Sequence, residues 1–384
     1  MRFGITVAAA ILSLSANAGF AQTNIAQSAA DDAALAVLDM VAKNADAPNG
    51  GSGKAIDMTY AGGLGYTKTT GLGVTAMATG SYRVRRDPNV RPSYTSIFAN
   101  VSLTGSYSAG ADGRTNFRDR SKLDYLLIFS SLPSYYWGSG YINCDRNASS
   151  SYVRRRAMLY ARYLYPLTGR LYVGGTAEYN FTRATDYSQK FTQTEYLPEG
   201  ERMSYSATGI GVNLEYDSRN STTDASRGIY ASACEMIYPK GLGTCRGTLW
   251  STTFTVDWYQ RLWSSAVLAA DLYGELHSDG TPWVMQSRAG GSYRMRGYYE
   301  GRYTDRNLIV LQVELRQRIW RTLSGVVWGG AGNIFGINSF DWRHTLPTYG
   351  LGVRWQLKYN IRVRVDYGFG RRTSGLVLSI NEAF

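Results

Sequence analysis

From Tyr349 to Tyr359 the side chains alternate without a break. Tyr349, Leu351, Val353, Trp355, Leu357 and Tyr359 are apolar or aromatic, whereas Gly350, Gly352, Arg354, Gln356 and Lys358 are glycine or polar. A period of two belongs to a β-strand. The next segment repeats it, with Ile361, Val363, Val365, Tyr367 and Phe369 on one face and Arg362, Arg364 and Asp366 on the other. An earlier one sets Leu311, Val313, Leu315 and Ile319 against Gln312, Glu314, Arg316 and Arg318. A soluble sheet would point the apolar face at a core, and a closed membrane barrel would point it at lipid, leaving the polar face to line the interior. A two-sheet sandwich rarely carries so many arginines on inward faces without partners. A wet lumen accommodates them.

The pattern recurs to the last residue. Candidate strands fall near 71–85, 93–103, 105–115, 121–131, 136–145, 151–166, 169–185, 203–217, 227–239, 246–262, 265–277, 305–320, 322–335, 347–358, 360–370 and 374–384. The expected class is therefore all-β, a transmembrane antiparallel β-barrel of about sixteen strands with a short N-terminal helical extension. Tight turns at Pro166-Leu167-Thr168-Gly169, Trp263-Ser264-Ser265 and Tyr359-Asn360 alternate with longer polar links at 186–202, 278–304 and 336–346, as short periplasmic turns and long outer loops do. The 30 tyrosines and 9 tryptophans suit the boundary between hydrocarbon and water. Glycan or nucleobase stacking is the weaker reading of those rings, because so many stand near strand ends.

The first residues have another texture. Arg2, the apolar run Val7–Leu14 and the small residues Ala16-Asn17-Ala18 and Gly19-Phe20-Ala21 form a secretory signal peptide, assigned to 1–21 with cleavage after Ala18 or Ala21. Residues 22–54 include a short helix over Asp31–Lys43, ending before Pro48-Asn49-Gly50, which would serve as a periplasmic tail, plug or linker; the barrel takes 55–384. The expected location is the outer membrane of a Gram-negative bacterium. Positive charges exceed negative ones, 41 to 29, but they are spread along strands and form no compact patch for nucleic acid. Cys234 and Cys245 flank a hairpin, which permits one bridge or two free thiols; Cys144 is the third cysteine.

Little points to catalysis. The histidines are His277 and His344, and no nucleophile elbow, phosphate loop or metal-spaced cluster appears, so no enzyme, cofactor or metal is expected. Glu178, Asp257, Glu314 and Asp366 can face the lumen beside Arg261, Arg316, Arg318, Arg354, Arg362 and Arg364, a charge ladder of the sort that sets a field and packs a wall.

Three stretches carry a family resemblance: Tyr216-Asp217-Ser218-Arg219-Asn220 leading to Arg227-Gly228, the loop Gly290-Gly291-Ser292-Tyr293-Arg294-Met295-Arg296-Gly297-Tyr298, and Arg364-Val365-Asp366-Tyr367-Gly368. With the terminal aromatic Phe384 after Leu376, Leu378 and Ile380, and the aromatic-glycine turn Pro133–Gly140, the chain resembles the BamA/TamA-like family of outer-membrane assembly and translocation barrels, most densely over 204–384. The resemblance implies that the loop at 286–304 folds into the lumen and that Arg296, with Gly297 and Tyr298, is tied to acidic and aromatic wall residues. Where the family commonly has an aspartate, this chain has Gly330, so Glu314 or Asp366 is expected to substitute. It further implies a barrel without polypeptide-transport-associated domains and a weakly paired seam between strands near 71–85 and 374–384. Outer-membrane lipids and unfolded polypeptides would be its partners. The competing expectation is a passive porin-like or structural barrel.

Overall fold

A computed structural model of the chain describes residues 56–67, 71–84, 90–222, 224–358, 361–380 and 382–384. The signal peptide and helical extension lie outside the described residues. One antiparallel sheet of sixteen strands runs in chain order: β1 (Ile56–Thr67), β2 (Gly71–Tyr82), β3 (Ser93–Ser102), β4 (Tyr107–Asn116), β5 (Lys122–Tyr136), β6 (Ser150–Pro166), β7 (Leu171–Thr185), β8 (Ser204–Asp217), β9 (Gly228–Tyr238), β10 (Leu249–Trp263), β11 (Ala266–His277), β14 (Asn307–Trp320), β15 (Leu323–Phe335), β16 (Leu346–Lys358), β17 (Ile361–Gly370) and β18 (Thr373–Ile380). The short pair β12 (Ser287–Ala289) and β13 (Tyr303–Asp305) forms a separate hairpin within the connection from β11 to β14. Long connections gather at one rim, at 137–149, 186–203, 278–306 and 336–345, while 167–170, 264–265 and 321–322 are tight turns at the other.

The faces are inverted relative to a water-soluble fold. On β14, Gln312, Glu314 and Arg316 are buried while Leu311, Val313 and Leu315 are exposed; on β16 and β17, Arg354, Arg364 and Asp366 are buried while Leu351, Val353, Trp355 and Val365 are exposed. Three arginines, Arg296, Arg354 and Arg364, head the largest fully enclosed side chains. A Leu or Val left wholly bare in water forgoes about 1.5–3 kcal/mol, and these side chains forgo a sizeable part of it. Lipid is the environment that removes this cost.

Three expectations need correction. The first described strand is Ile56–Thr67, ahead of 71–85; Gly62, Gly63 and Gly65 dilute its alternation, although it pairs with β2 along its whole length. The segment 121–131 runs on to Tyr136 as β5, and the strand expected over 136–145 is absent, because that stretch turns after Tyr136 into the helix α1 (Tyr141–Arg146). Pro133 stays in the ladder opposite Val153. Beyond it Tyr136 and Tyr152 pack on Phe191 and Trp283, which holds both strands extended, so the turn starts only at Trp137. The missed strand β1 and the absent strand at 136–145 cancel in the count. Third, the last strand, expected over 374–384, is β18 and ends at Ile380, and the terminal Phe384 lies buried beyond it.

Among the described residues β1 and β18 share no ladder, so the sheet has two free edges.

Candidate functional site

The connection from β11 to β14 enters the lumen because its backbone is glycine-punctuated where it must bend. Gly290 (φ 111°) and Gly297 (φ 103°) lie in a region that side-chain-bearing residues rarely adopt. A Cβ on Gly297 would stand 2.7 Å from the carbonyl carbon of Gly368, so loop and wall touch backbone to backbone there.

The loop tip is fastened to six strands. Arg294 donates to Asp271 on β11 through Nε and Nη2, both at 2.8 Å, and its guanidinium lies 4.0 Å over the Tyr273 ring. Arg296 is fully enclosed. Its Nη1 donates to Asp366 Oδ2 on β17 at 2.8 Å, its Nη2 donates to Glu314 Oε1 on β14, and its charge lies 3.8 Å from the Trp328 ring on β15. The Thr348 hydroxyl on β16 donates to the Arg296 carbonyl at 2.7 Å, and the Thr373 hydroxyl on β18 donates to that of Gly297 at 3.0 Å. Tyr298 donates to the Pro347 carbonyl at 2.8 Å and accepts from the Arg371 amide at 2.6 Å. Two carboxylates and an indole face compensate a guanidinium that water no longer reaches, and the two hydroxyls satisfy the backbone carbonyls beside it.

Both acids named as alternatives thus contact Arg296. Gly330 has no room for a third: a Cβ there would lie 2.5 Å from the Leu311 carbonyl oxygen and 2.8 Å from the Gln312 Cβ. Gln312 fills that stretch of wall, donating to Asp271 and to the Tyr293 carbonyl, each at 3.0 Å.

Around this centre the buried charges interlock. Arg354 donates to Asp366 and to Glu382 Oε2, the latter at 2.9 Å. Arg316 donates to Glu314 and to the Phe384 carbonyl, both at 2.9 Å. Arg364 donates to the Ser292 carbonyl at 2.9 Å. Glu382 explains the inward turn of the chain end: Arg362 also donates to it, at 3.0 Å, and Arg316 lies 3.7 Å away. Burial alone would raise the Glu382 carboxyl, but Arg316, Arg354 and Arg362 hold it well below the usual carboxylate range. Phe384 then rests on Arg316, 5.0 Å from ring centre to guanidinium, and near Tyr259. Sequence reading missed Arg294, Asp271, Trp328 and Glu382. Arg294 stands two residues before Arg296 and was available as a signal; Glu382 sat in what read as an ordinary final strand.

The outer part of the loop is covered by α1. The Gly140 amide donates to the Thr304 carbonyl at 2.8 Å, Tyr303 donates to Asp145 at 3.0 Å, and Tyr141 stacks on Tyr303 and His344. Cys144 is fully enclosed, and burial pushes its thiol up to about 12. Cys144, Cys234 and Cys245 are all free. At the opposite rim Arg219 makes two bonds to Asp217, at 3.0 and 2.9 Å, and lies 4.4 Å over Tyr230. Gly228 (φ 111°) passes so close to Ser218 that a Cβ would lie 2.5 Å from its carbonyl oxygen, and Tyr216 is the last residue but one of β8, just before this turn. Of the arginines assigned to the lumen, Arg261 and Arg318 are exposed, near the tight turns.

The Omp85 superfamily domain model matches residues 63–384. Among solved structures, BamA from Haemophilus ducreyi lacking POTRA domains 1–3 aligns with a TM-score of 0.56 at 12% identity, covering 85% of this chain and 69% of that one. CdiB from Acinetobacter baumannii and CdiB from Escherichia coli each align at 0.54 and 13% identity over 86% of this chain, which spans 60% and 62% of their lengths. At such identities the likeness is one of fold. No curated protein matches the chain in sequence.

Proposed function

The chain belongs to the Omp85 superfamily, and from that membership we propose that it works in the outer membrane of a Gram-negative bacterium, assisting the insertion or translocation of polypeptides, or of lipid. The observation that carries the proposal is the pair of free edges on β1 and β18. Unpaired backbone groups facing hydrocarbon are costly and seek partners, so a client strand or a thinned bilayer at the seam relieves them. Glycines at Gly62, Gly63 and Gly65 give β1 little side-chain packing to hold a neighbour in register.

In this reading the loop is the fixed part. Arg296, with Glu314 and Asp366, acts as a lock joining β14 to β17, so that the C-terminal half of the sheet stays rigid while the seam yields. The rival reading, a passive pore, is weakened by the loop and chain end that occupy the lumen. Depletion followed by an inventory of outer-membrane proteins tests the proposal. Selective loss of other barrels is expected; an unchanged inventory with altered solute uptake overturns it. Disulfide cross-links scanned across β1 and β18 should reproduce the depletion phenotype while leaving the loop in place.

A further inference from the structure

Two β-bulges stand side by side at the rim of tight turns, one where β10 returns as β11 and one where β14 returns as β15. The register slips between Arg261 and Trp263 in the first hairpin and between Arg318 and Trp320 in the second. A bulge interrupts the alternation of faces and re-aims the side chains beyond it. By parity Trp263 belongs with the buried Tyr259, inside the lumen. Instead it is half exposed, and its indole N–H donates at 3.1 Å to Gln317 Oε1, on the face of β14 that carries Val313 and Leu315. Trp320 keeps the parity of the enclosed Glu314 and Arg316 but is 69% exposed, beside the exposed Ile319. The two hairpins are fastened together: the Arg318 amide donates to the Ser265 carbonyl at 2.7 Å, and the Gln317 side-chain amide donates to Ser265 Oγ at 2.8 Å. They present one patch.

The charge of the patch has one sign. Arg261, Arg318 and Arg321 flank the two tryptophans, and all three are exposed. No carboxylate occurs from Trp258 to Ala270 or from Leu315 to Phe340. The nearest acids along these strands, Asp257, Asp271 and Glu314, are enclosed in the lumen. Arg261 donates to Ser226 Oγ at 2.9 Å, and the acid close to that serine, Asp224, is taken by Arg362. Among the described residues none of the three arginines enters an ion pair. On the neighbouring strand Trp355 pairs with Leu323 and is also half exposed, so the row of indoles continues along the rim. Tryptophan settles at the boundary between hydrocarbon and water, and a long basic side chain beside it extends to the headgroups.

We propose that this patch holds an anionic phospholipid of the leaflet beside the tight turns, with Trp263 and Trp320 against its glycerol and upper acyl chains and Arg261, Arg318 and Arg321 on its phosphate. The inference rests on the outer-membrane reading and is independent of any insertion activity. Two observations select a lipid over an acidic protein: the patch is continuous with the lipid-facing side chains of β14, and its apolar members point to the same side as they do. The guanidinium fork matches two phosphate oxygens, and with no acid in the patch nothing there recognises the amine of a zwitterionic headgroup.

The test uses the full chain refolded into micelles that contain equal amounts of phosphatidylglycerol and phosphatidylcholine with the same acyl chains. Native mass spectrometry counts the lipids retained, and phosphatidylglycerol is expected to be preferred. The double variant Arg318→Gln, Arg321→Gln should lower that preference at least about tenfold, whereas Arg343→Gln, Arg372→Gln, at the opposite rim, should leave it unchanged. A second measurement needs no charge variant: in vesicles, brominated phosphatidylglycerol should quench the tryptophan fluorescence of the parent chain more than brominated phosphatidylcholine at the same mole fraction. That excess should vanish in Trp263→Phe, Trp320→Phe. Equal retention of the two lipids, a preference that survives the loss of both arginines, an equal fall in the opposite-rim variant, or capture of an acidic peptide that phosphatidylglycerol cannot displace would overturn the assignment. A chain that enters neither micelles nor vesicles would overturn the outer-membrane reading beneath it.

Discussion

Removing the acid at the centre of the lumen should do more harm than removing the arginine it holds. Within the network Arg296, Arg316, Arg354 and Arg364 face Glu314, Asp366 and Glu382, four positive charges against three, all at least nine-tenths buried. Arg296→Met leaves three against three. It deletes two charge-assisted hydrogen bonds, each worth about 1.5–3 kcal/mol, but also removes the cost of desolvating a guanidinium, so a net loss of about 2–3 kcal/mol is expected. Asp366→Asn keeps the shape and leaves four against two. Arg296 and Arg354 each lose a partner, and Arg364, whose Nε and Nη1 already lack hydrogen-bond partners, loses its carboxylate at 3.8 Å. The expected cost is about 3–5 kcal/mol. The double variant has three against two, the original excess of one, and should fall at least about 1 kcal/mol short of the summed losses. Urea midpoints in lipid vesicles, followed by tryptophan fluorescence and gel mobility, measure all three. A larger loss for Arg296→Met than for Asp366→Asn, or strict additivity, would refute the charge-count argument.

Gly297→Ala should cost at least about 2 kcal/mol and loosen the loop tip, because φ is 103° and the new methyl would meet the Gly368 backbone; protease cleavage within 290–300 is the measure, and resistance equal to the parent's would count against it. Glu382 has a depressed carboxyl, so its contribution is complete above the unfolded value of about 4.3 and is lost only as pH falls through the lower folded value. Phe384 should accordingly resist carboxypeptidase at pH values of about 5 to 7 and become susceptible in Glu382→Gln. Cys144, with its thiol raised to about 12 and enclosed beneath the loop, should remain unalkylated at mildly alkaline pH, whereas Arg302→Ala, which removes the bond to the Cys144 carbonyl, should expose it; mass spectrometry of the labelled protein decides.

Much of the architecture is a local property of the chain. Strand existence, the inverted polarity of the faces and the alternation of tight and long connections follow from side chains taken two at a time, because an extended backbone turns successive residues to opposite sides whatever lies around it. The same logic placed Glu314, Asp366 and the arginines of β16 and β17 on the inner face. It failed where composition blurred the period, at the glycines of β1, and where a proline imitated a turn, at Pro133.

What only the tertiary structure decided is which of those inward charges meet. Asp366 and Glu314 stand on strands separated by β15 and β16, and they reach one guanidinium because the sheet curves and the glycine-hinged loop delivers Arg296 between them. Period-two patterning carries no information about curvature or loop path. The chain end shows the difference most plainly: alternation sends Phe384 outward with Leu376, but a carboxylate two residues earlier finds three arginines inside, and their combined attraction outweighs the apolar preference of one ring.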